Sequence, residues 1–121
     1  MKNIFITEWI NTFVNAWKEK KFDEIKKIFS HTVEYYEVPL GIATCGTENI
    51  IKLWEDIVYQ EDIILEVNPI ICEENIAVLH WYFKYKDSRD KKIYEMDGVY
   101  HLKFNDKHKC IYFKQWWVMS E

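Results

Sequence analysis

The sequence lacks the cysteine pattern of a disulfide framework or a zinc site. Its three cysteines, Cys45, Cys72 and Cys110, are an odd number and form no CxxC pair. No apolar run approaches the length of a membrane span, and the start MKNIFITEWI has neither the apolar core nor the cleavage site of a signal peptide. We therefore expect a reduced, cytoplasmic protein without a membrane partner.

A block of positive charge is also missing. The formal net charge is −4, and the lysines and the single arginine are scattered along the chain. Proteins that bind nucleic acid concentrate basic residues on one face or in one stripe. The charge pattern therefore predicts no nucleic-acid partner.

Aromatic residues, by contrast, are abundant. They make up 17% of the 121 residues, within a hydrophobic share of 49%. Such a load favours strands and pocket walls, and the length suits one hydrophobic core. The sequence thus predicts a single domain over residues 1–121.

Three amphipathic helices are predicted in the first half of the chain. Thr7 is the expected N-cap of a helix that reaches about Lys20, and FDEIKKIFS (22–30) has the same period. A strand, VEYYEVP (33–39), follows. Thr47 is then expected to cap a third helix, whose inward residues are Ile50, Leu53, Trp54, Ile57 and Val58.

The second half of the chain predicts strands. Four apolar segments (63–72, 75–86, 93–104 and 110–119) are separated by short polar turns, which indicates a meander of antiparallel hairpins. The expected fold class is α+β: three N-terminal helices packed on one face of a strongly curved, mostly antiparallel sheet, a cone-shaped barrel that encloses a pocket.

Alternation along the strands sorts residues between the two faces of this sheet. In the last strand it points Ile111, Phe113, Gln115, Trp117 and Met119 inward and the neighbours of each outward. The outer face is then unusually apolar, and such patches usually mark interfaces. We therefore predict a homodimer through this face, whose apolar members are Val78, Tyr82, Val99, Tyr112, Trp116 and Val118.

The order helix, helix, strand, helix, meander resembles the nuclear transport factor 2-like superfamily, in its branch of SnoaL-like polyketide cyclases and ketosteroid isomerases. The resemblance lies in KKFDEIKKIFSHTVEYYEVPLG, CGTENIIKLWEDI, MDGVYHLKFND and CIYFKQWW, which together cover most of the chain. It implies a cone-shaped α+β fold, a deep pocket between helices and sheet, no metal and frequent dimers.

The resemblance carries over only part of the isomerase chemistry. The isomerase general base falls at Glu37 or at Val38, and its oxyanion tyrosine falls at Phe13, which has no hydroxyl. Its second oxyanion donor, an aspartic acid, falls at Tyr100. Steroid isomerisation is therefore not expected.

Three polar residues are the candidates for chemistry. Glu37 shares the inward face with Val33 and Tyr35, where desolvation would raise its pKa towards that of a general base; the alternative is a solvated glutamate at the rim. Tyr100 either donates a hydrogen bond to a developing oxyanion or fills the core. Gln115 either binds a ligand or is a structural amide bonded to Tyr100 or water.

The predicted function is binding of a small hydrophobic, carbonyl-containing molecule, with Glu37 and Tyr100 as catalytic candidates of an isomerase, dehydratase or cyclase that needs no cofactor. No metal site is expected, because the histidines do not converge on one face. The alternative is a dimerisation or association module whose cavity is filled by aromatic side chains. The predicted ligand-binding residues are Gln115, Trp117, Phe113, Trp81, Phe13, Trp17, Trp54, Val58 and Tyr35.

Overall fold

The computed structural model describes residues 4–120 and opens with a long helix, α1 (Ile4–Lys18). Apolar residues three or four positions apart form its buried stripe: Ile6, Trp9, Ile10, Phe13 and Ala16. The prediction of Thr7 as N-cap is wrong, because the helix already includes Ile4 and Thr7 lies exposed within it.

The second helical segment is shorter than predicted and is a 3₁₀ helix (Phe22–Lys27). Strand β1 (Phe29–Tyr36) begins directly after it and includes Phe29 and Ser30, which the periodicity assigned to the helix. Phe29 pairs with Cys110 of the last strand. This pairing between residues distant in sequence outweighs the local helical preference.

A short strand and a two-part helical segment follow. Strand β2 (Thr44–Cys45) pairs with β1, and helix α2 (Thr47–Leu53) continues into a 3₁₀ helix (Trp54–Tyr59). Thr47 is the first helical residue rather than the cap. Gly46 occupies the N-cap position with a φ of 86°, a left-handed conformation that glycine adopts without strain, and no side chain caps the helix.

Four long strands complete the sheet: β3 (Gln60–Glu73), β4 (Ile76–Asp87), β5 (Ile93–Phe104) and β6 (Cys110–Met119). The strand order is β2-β1-β6-β5-β4-β3, antiparallel except for the parallel pair β1–β6. The predicted α+β architecture is confirmed. The sheet is not closed into a barrel, since β2 and β3 remain as edges.

Alternation assigns the faces of β4 and β5 correctly but fails at the start of β6. In β4, period-two alternation places Ala77, Leu79, Trp81 and Phe83 on one face, and all four are buried. The register of β6 shifts where Phe104 pairs with Cys110 and Lys103 with Tyr112, so one residue bulges out between the two pairs. That residue, Ile111, is 36% exposed, whereas Cys110, predicted to face outward, is fully buried.

Phe13 lies at the centre of the core between α1 and the sheet. Its ring stacks on Trp9 at 5.2 Å and meets Trp54 and Tyr100 edge to face, each at 5.6 Å. Edge-to-face and offset pairs are the arrangements that aromatic rings favour.

No helix among the described residues is long and apolar enough to cross a membrane.

Candidate functional site

An aromatic cavity of about 200 Å³ lies between α1 and the inner face of the sheet. Its wall is formed by α1, by the two residues that follow β1 and by all four long strands, so the cavity exists only when these elements pack together. The lining residues are Trp17, Glu37, Val38, Gln60, Leu65, Trp81, Phe83, Tyr85, Met96, Tyr100, Gln115 and Trp117.

The cavity has a buried side and an exposed side. Trp81 and Tyr100 are both 3% exposed, and their rings stack at 5.4 Å. Trp117 and Val38, on the other side, are 37% and 41% exposed. A bound molecule would thus place one end against Trp81 and Tyr100 and the other end towards solvent.

Glu37 lies at the mouth, one residue beyond the end of β1. Partial burial raises the pKa of its carboxyl above the ordinary value, and the negative charge of Asp56 raises it further. An elevated pKa makes a carboxylate a stronger base. Glu37 therefore combines an aromatic neighbourhood, access to solvent and increased basicity.

Two side chains of β6 hold the backbone at Glu37. Gln115 Nε2 donates to the Glu37 carbonyl at 2.8 Å, and Trp117 Nε1 donates to the same oxygen at 3.1 Å. Gln115 thus makes a structural hydrogen bond, to Glu37 rather than to Tyr100 or water, and it also lines the cavity. The bond uses the Gln115 nitrogen and does not engage its acceptor atom, Oε1.

Tyr100 supplies a hydroxyl on the buried side. Burial raises the pKa of this phenol well above its ordinary value, and neighbouring Tyr35 raises it further. Tyr100 therefore stays protonated at neutral pH and is a donor rather than a base.

Among residues 4–120, no group of three or more His, Cys, Asp or Glu side chains is arranged to hold a metal ion.

A family model for the SnoaL-like domain matches residues 10–111. The chain belongs to the SnoaL-like domain family. No curated protein matches the sequence.

Solved structures with the nuclear transport factor 2-like fold are similar to this SnoaL-like domain over nearly its whole length. A protein of unknown function from Exiguobacterium sp. 255-15 is 18% identical with a TM-score of 0.73, covering 96% of this chain and 98% of that one. Rv0760c from Mycobacterium tuberculosis, in complex with estradiol-17β-hemisuccinate, is 9% identical with a TM-score of 0.79, covering 95% and 97%.

A third similar structure is a protein with a ketosteroid isomerase-like fold from Catenulispora acidiphila DSM 44928, in complex with trimethylamine. It is 10% identical with a TM-score of 0.76, covering 90% of this chain and 84% of that one. At such identities the likeness concerns the fold alone. It confirms the resemblance drawn from the sequence.

Four predicted ligand-binding residues of this SnoaL-like domain lie in the core rather than on the cavity wall: Tyr35, Phe13, Trp54 and Phe113. Tyr35 stacks on Phe113 at 4.5 Å and accepts a hydrogen bond from Trp54 Nε1 at 3.1 Å. Val58 also lies outside the lining and is 50% exposed, because the predicted helix ends in a 3₁₀ segment there. The structure brings together Glu37, Tyr100, Gln115, Trp117, Trp81 and Trp17.

Six lining residues of the SnoaL-like domain were not among the predicted ones: Val38, Gln60, Leu65, Phe83, Tyr85 and Met96. Period-two alternation places Phe83, Tyr85 and Met96 on the inner face of the sheet, but it does not show how far along the strands the cavity extends. Gln60 had no sequence signal. It accepts a hydrogen bond from Trp17 Nε1 at 2.9 Å, and this contact fixes that indole in the wall.

Proposed function

We propose that the cavity binds a small hydrophobic molecule that carries a carbonyl group, and that Glu37 performs acid/base chemistry on it without a cofactor. The reaction class would be that of an isomerase, dehydratase or cyclase. The observation that carries the proposal is the pairing of a Glu37 carboxyl of raised pKa with the protonated Tyr100 hydroxyl in one aromatic cavity.

The chemistry follows from these two groups. Glu37 would remove a proton from the carbon next to the carbonyl. The electron pair of that C–H bond would form a C=C bond, and the π pair of the C=O bond would move onto the carbonyl oxygen. Tyr100 would donate a hydrogen bond to the negative charge that develops there. Returning the proton to a different atom completes an isomerisation, whereas loss of a leaving group completes an elimination.

The cavity volume supports a small ligand. At about 200 Å³ it is somewhat larger than an engineered cavity of about 150 Å³ that binds benzene, and smaller than the ~300–1,000 Å³ of sites for drug-sized molecules. A molecule with one ring fits this range and a steroid does not. The relatives solved with estradiol-17β-hemisuccinate and with trimethylamine support ligand binding by the fold at both larger and smaller sizes.

The test is hydrogen exchange into a one-ring ketone. Acetophenone in D₂O exchanges its methyl protons through the enolate, so mass spectrometry reports proton abstraction without knowledge of the natural substrate. We expect the protein to accelerate this exchange and Glu37→Gln to reduce the acceleration at least about 100-fold, a typical contribution of a general base. The affinity for acetophenone should change little.

Glu34→Gln is the matched control, because Glu34 is an exposed glutamate of β1, three residues before Glu37 and outside the cavity lining. It should leave the exchange rate unchanged. Unchanged exchange in Glu37→Gln would remove Glu37 from the mechanism. Binding of acetophenone without any accelerated exchange would leave a binding protein rather than an enzyme.

The exposed outer face of the sheet supports one further element, a homodimer. We propose that a second copy covers this face around Trp116 and Val118, which are 40% and 71% exposed. Tyr82 and Tyr112, also predicted there, are half-buried beside charged neighbours.

We also propose a cytoplasmic location, which is consistent with the three free cysteines.

A further inference from the structure

We propose that the indole N–H of Trp81 is the group that recognises the ligand, by donating a hydrogen bond to a neutral acceptor oxygen. This inference rests on the proposed ligand-binding function and adds a specificity-determining residue to it. It assigns a polar role to a tryptophan that the sequence pattern treats as apolar wall.

The N–H of Trp81 is buried and has no hydrogen-bond partner among the described residues. Four other indoles in the same protein do have acceptors: Trp9 on Ile28, Trp17 on Gln60, Trp54 on Tyr35 and Trp117 on Glu37. A buried donor left without an acceptor costs about 1–3 kcal/mol. The sixth tryptophan, Trp116, is exposed to solvent, so among the described residues Trp81 is the one buried indole without an acceptor, and it lines the cavity.

The structure holds the Trp81 ring in place. One face stacks on Tyr100 at 5.4 Å and 18°. The Cε2 and Cζ2 atoms lie over Gly98, where a Cβ atom would come within 2.9 and 2.8 Å of them and within 2.2 Å of the Trp116 carbonyl oxygen. Glycine at position 98 therefore leaves room both for the Trp116 backbone and for the part of the indole next to Nε1, since Cε2 is bonded to Nε1.

The lining residues determine which acceptor this donor can take. The two polar groups on the buried side, the Trp81 N–H and the Tyr100 hydroxyl, are both hydrogen-bond donors, and the lining contains no lysine, arginine or histidine. A carboxylate placed there would lose its hydration without gaining a counter-charge, which is costly. The site therefore fits the oxygen of a ketone, aldehyde, ester or amide better than that of an acid.

The test compares acetophenone with α-methylstyrene, in which a CH₂ group replaces the carbonyl oxygen and the shape is nearly unchanged. Replacing Trp81 by Phe removes the N–H and keeps an aromatic ring. We expect Trp81→Phe to weaken acetophenone binding about fivefold to tenfold more than it weakens α-methylstyrene binding, as measured by isothermal titration calorimetry.

Trp17→Phe is the matched control. Trp17 also lines the cavity, but its N–H is already bonded to Gln60. Removing that N–H should therefore affect acetophenone and α-methylstyrene to the same extent. The comparison separates loss of a hydrogen bond to the ligand from loss of indole packing.

A second measurement does not depend on a variant that folds. The Trp81 indole proton should move downfield in the ¹H–¹⁵N spectrum of the wild-type protein on addition of acetophenone but not of α-methylstyrene. Equal losses for the two probes in Trp81→Phe, or no selective shift of this proton, would overturn the inference and leave the ligand site intact. Failure of both probes to bind would overturn the proposed function as well.

Discussion

Glu37 carries its carboxylate at the mouth of an aromatic cavity, where partial loss of water disfavours the ionised form. Its raised pKa means that the folded protein holds this proton more tightly than the unfolded chain does. The group therefore favours folding below its unfolded pKa, and this contribution is lost as the pH rises through the folded pKa.

Glu37→Gln should consequently stabilise the protein at neutral pH and not at acidic pH. Glutamine has no ionised form to desolvate, so we expect the melting temperature to rise by about 1–3 °C at pH 7 relative to wild type. The advantage should shrink when the pH falls below the pKa of Glu37. Differential scanning calorimetry between pH 3.5 and pH 7.5 measures both the gain in melting temperature at neutral pH and its loss at acidic pH.

A control is needed because the protein has a net charge of −4, and removal of any one negative charge reduces the repulsion between the remaining ones. Glu34→Gln removes one from the exposed side of β1 and should show a smaller gain at pH 7. Equal gains in the two variants would mean that the neutral-pH effect comes from global charge rather than from the site.

At this scale the sequence predicted which side chains face the cavity better than it predicted their partners. Period-two alternation is a property of every strand, so Trp81, Tyr100, Gln115 and Trp117 could be placed on the inner side in advance. The bond from Gln115 to the Glu37 carbonyl joins residues 78 positions apart. Such contacts depend on the parallel pairing of β1 with β6, which no local pattern encodes.

At the scale of elements, the bulge in β6 decides which face of the sheet the first residues of that strand occupy. The shift in register between Lys103 and Phe104 leaves Ile111 without a partner on β5. Cys110 then fills the core and donates its S–H to the Tyr112 carbonyl at 3.0 Å. Beyond the bulge, Phe113 returns to the buried face.

Two truncations test this register. Phe113→Ala should reduce the free energy of unfolding by about 3–5 kcal/mol, because it removes a fully buried ring, whereas Ile111→Ala should cost less than about 1 kcal/mol. Urea denaturation measures both. Similar losses in the two variants would indicate an uninterrupted β6 in solution, with Ile111 inside.

The sequence predicted the elements unevenly, and the reason is physical. Strands β4, β5 and β6 were correct to within a residue at each end, since polar turns bound them on both sides. The sequence did not predict the bulge, because in CIYFKQWWVM both sets of alternate residues are largely apolar and either set could face the core. The helical period of FDEIKKIFS could not show that Phe29 and Ser30 would be recruited into a sheet.

At the scale of the whole molecule, the two faces of the sheet differ in what they contact. The inner face packs on α1 and forms the cavity, and the outer face carries charged and apolar groups together. His80 pairs with Asp97 at 3.0 Å on this outer face. Interfaces commonly combine an apolar centre with a polar rim of this kind.

The proposed homodimer makes the last prediction, which concerns Trp116. We expect the wild-type protein to sediment as a dimer at micromolar concentration, and Trp116→Glu to weaken association at least about tenfold, since large aromatic side chains dominate interface energies. Ile42→Glu is the control, because Ile42 is 96% exposed in the loop before β2 and lies off the sheet. It should leave the dimer unchanged.

The same variant tests the independence of the two faces. Trp116 points away from the cavity and its neighbour Trp117 lines it, so Trp116→Glu should retain acetophenone binding within about twofold. A wild-type monomer would refute the dimer while leaving the ligand site standing. Joint loss of association and binding would show instead that the cavity takes its shape only when a second copy supports β6.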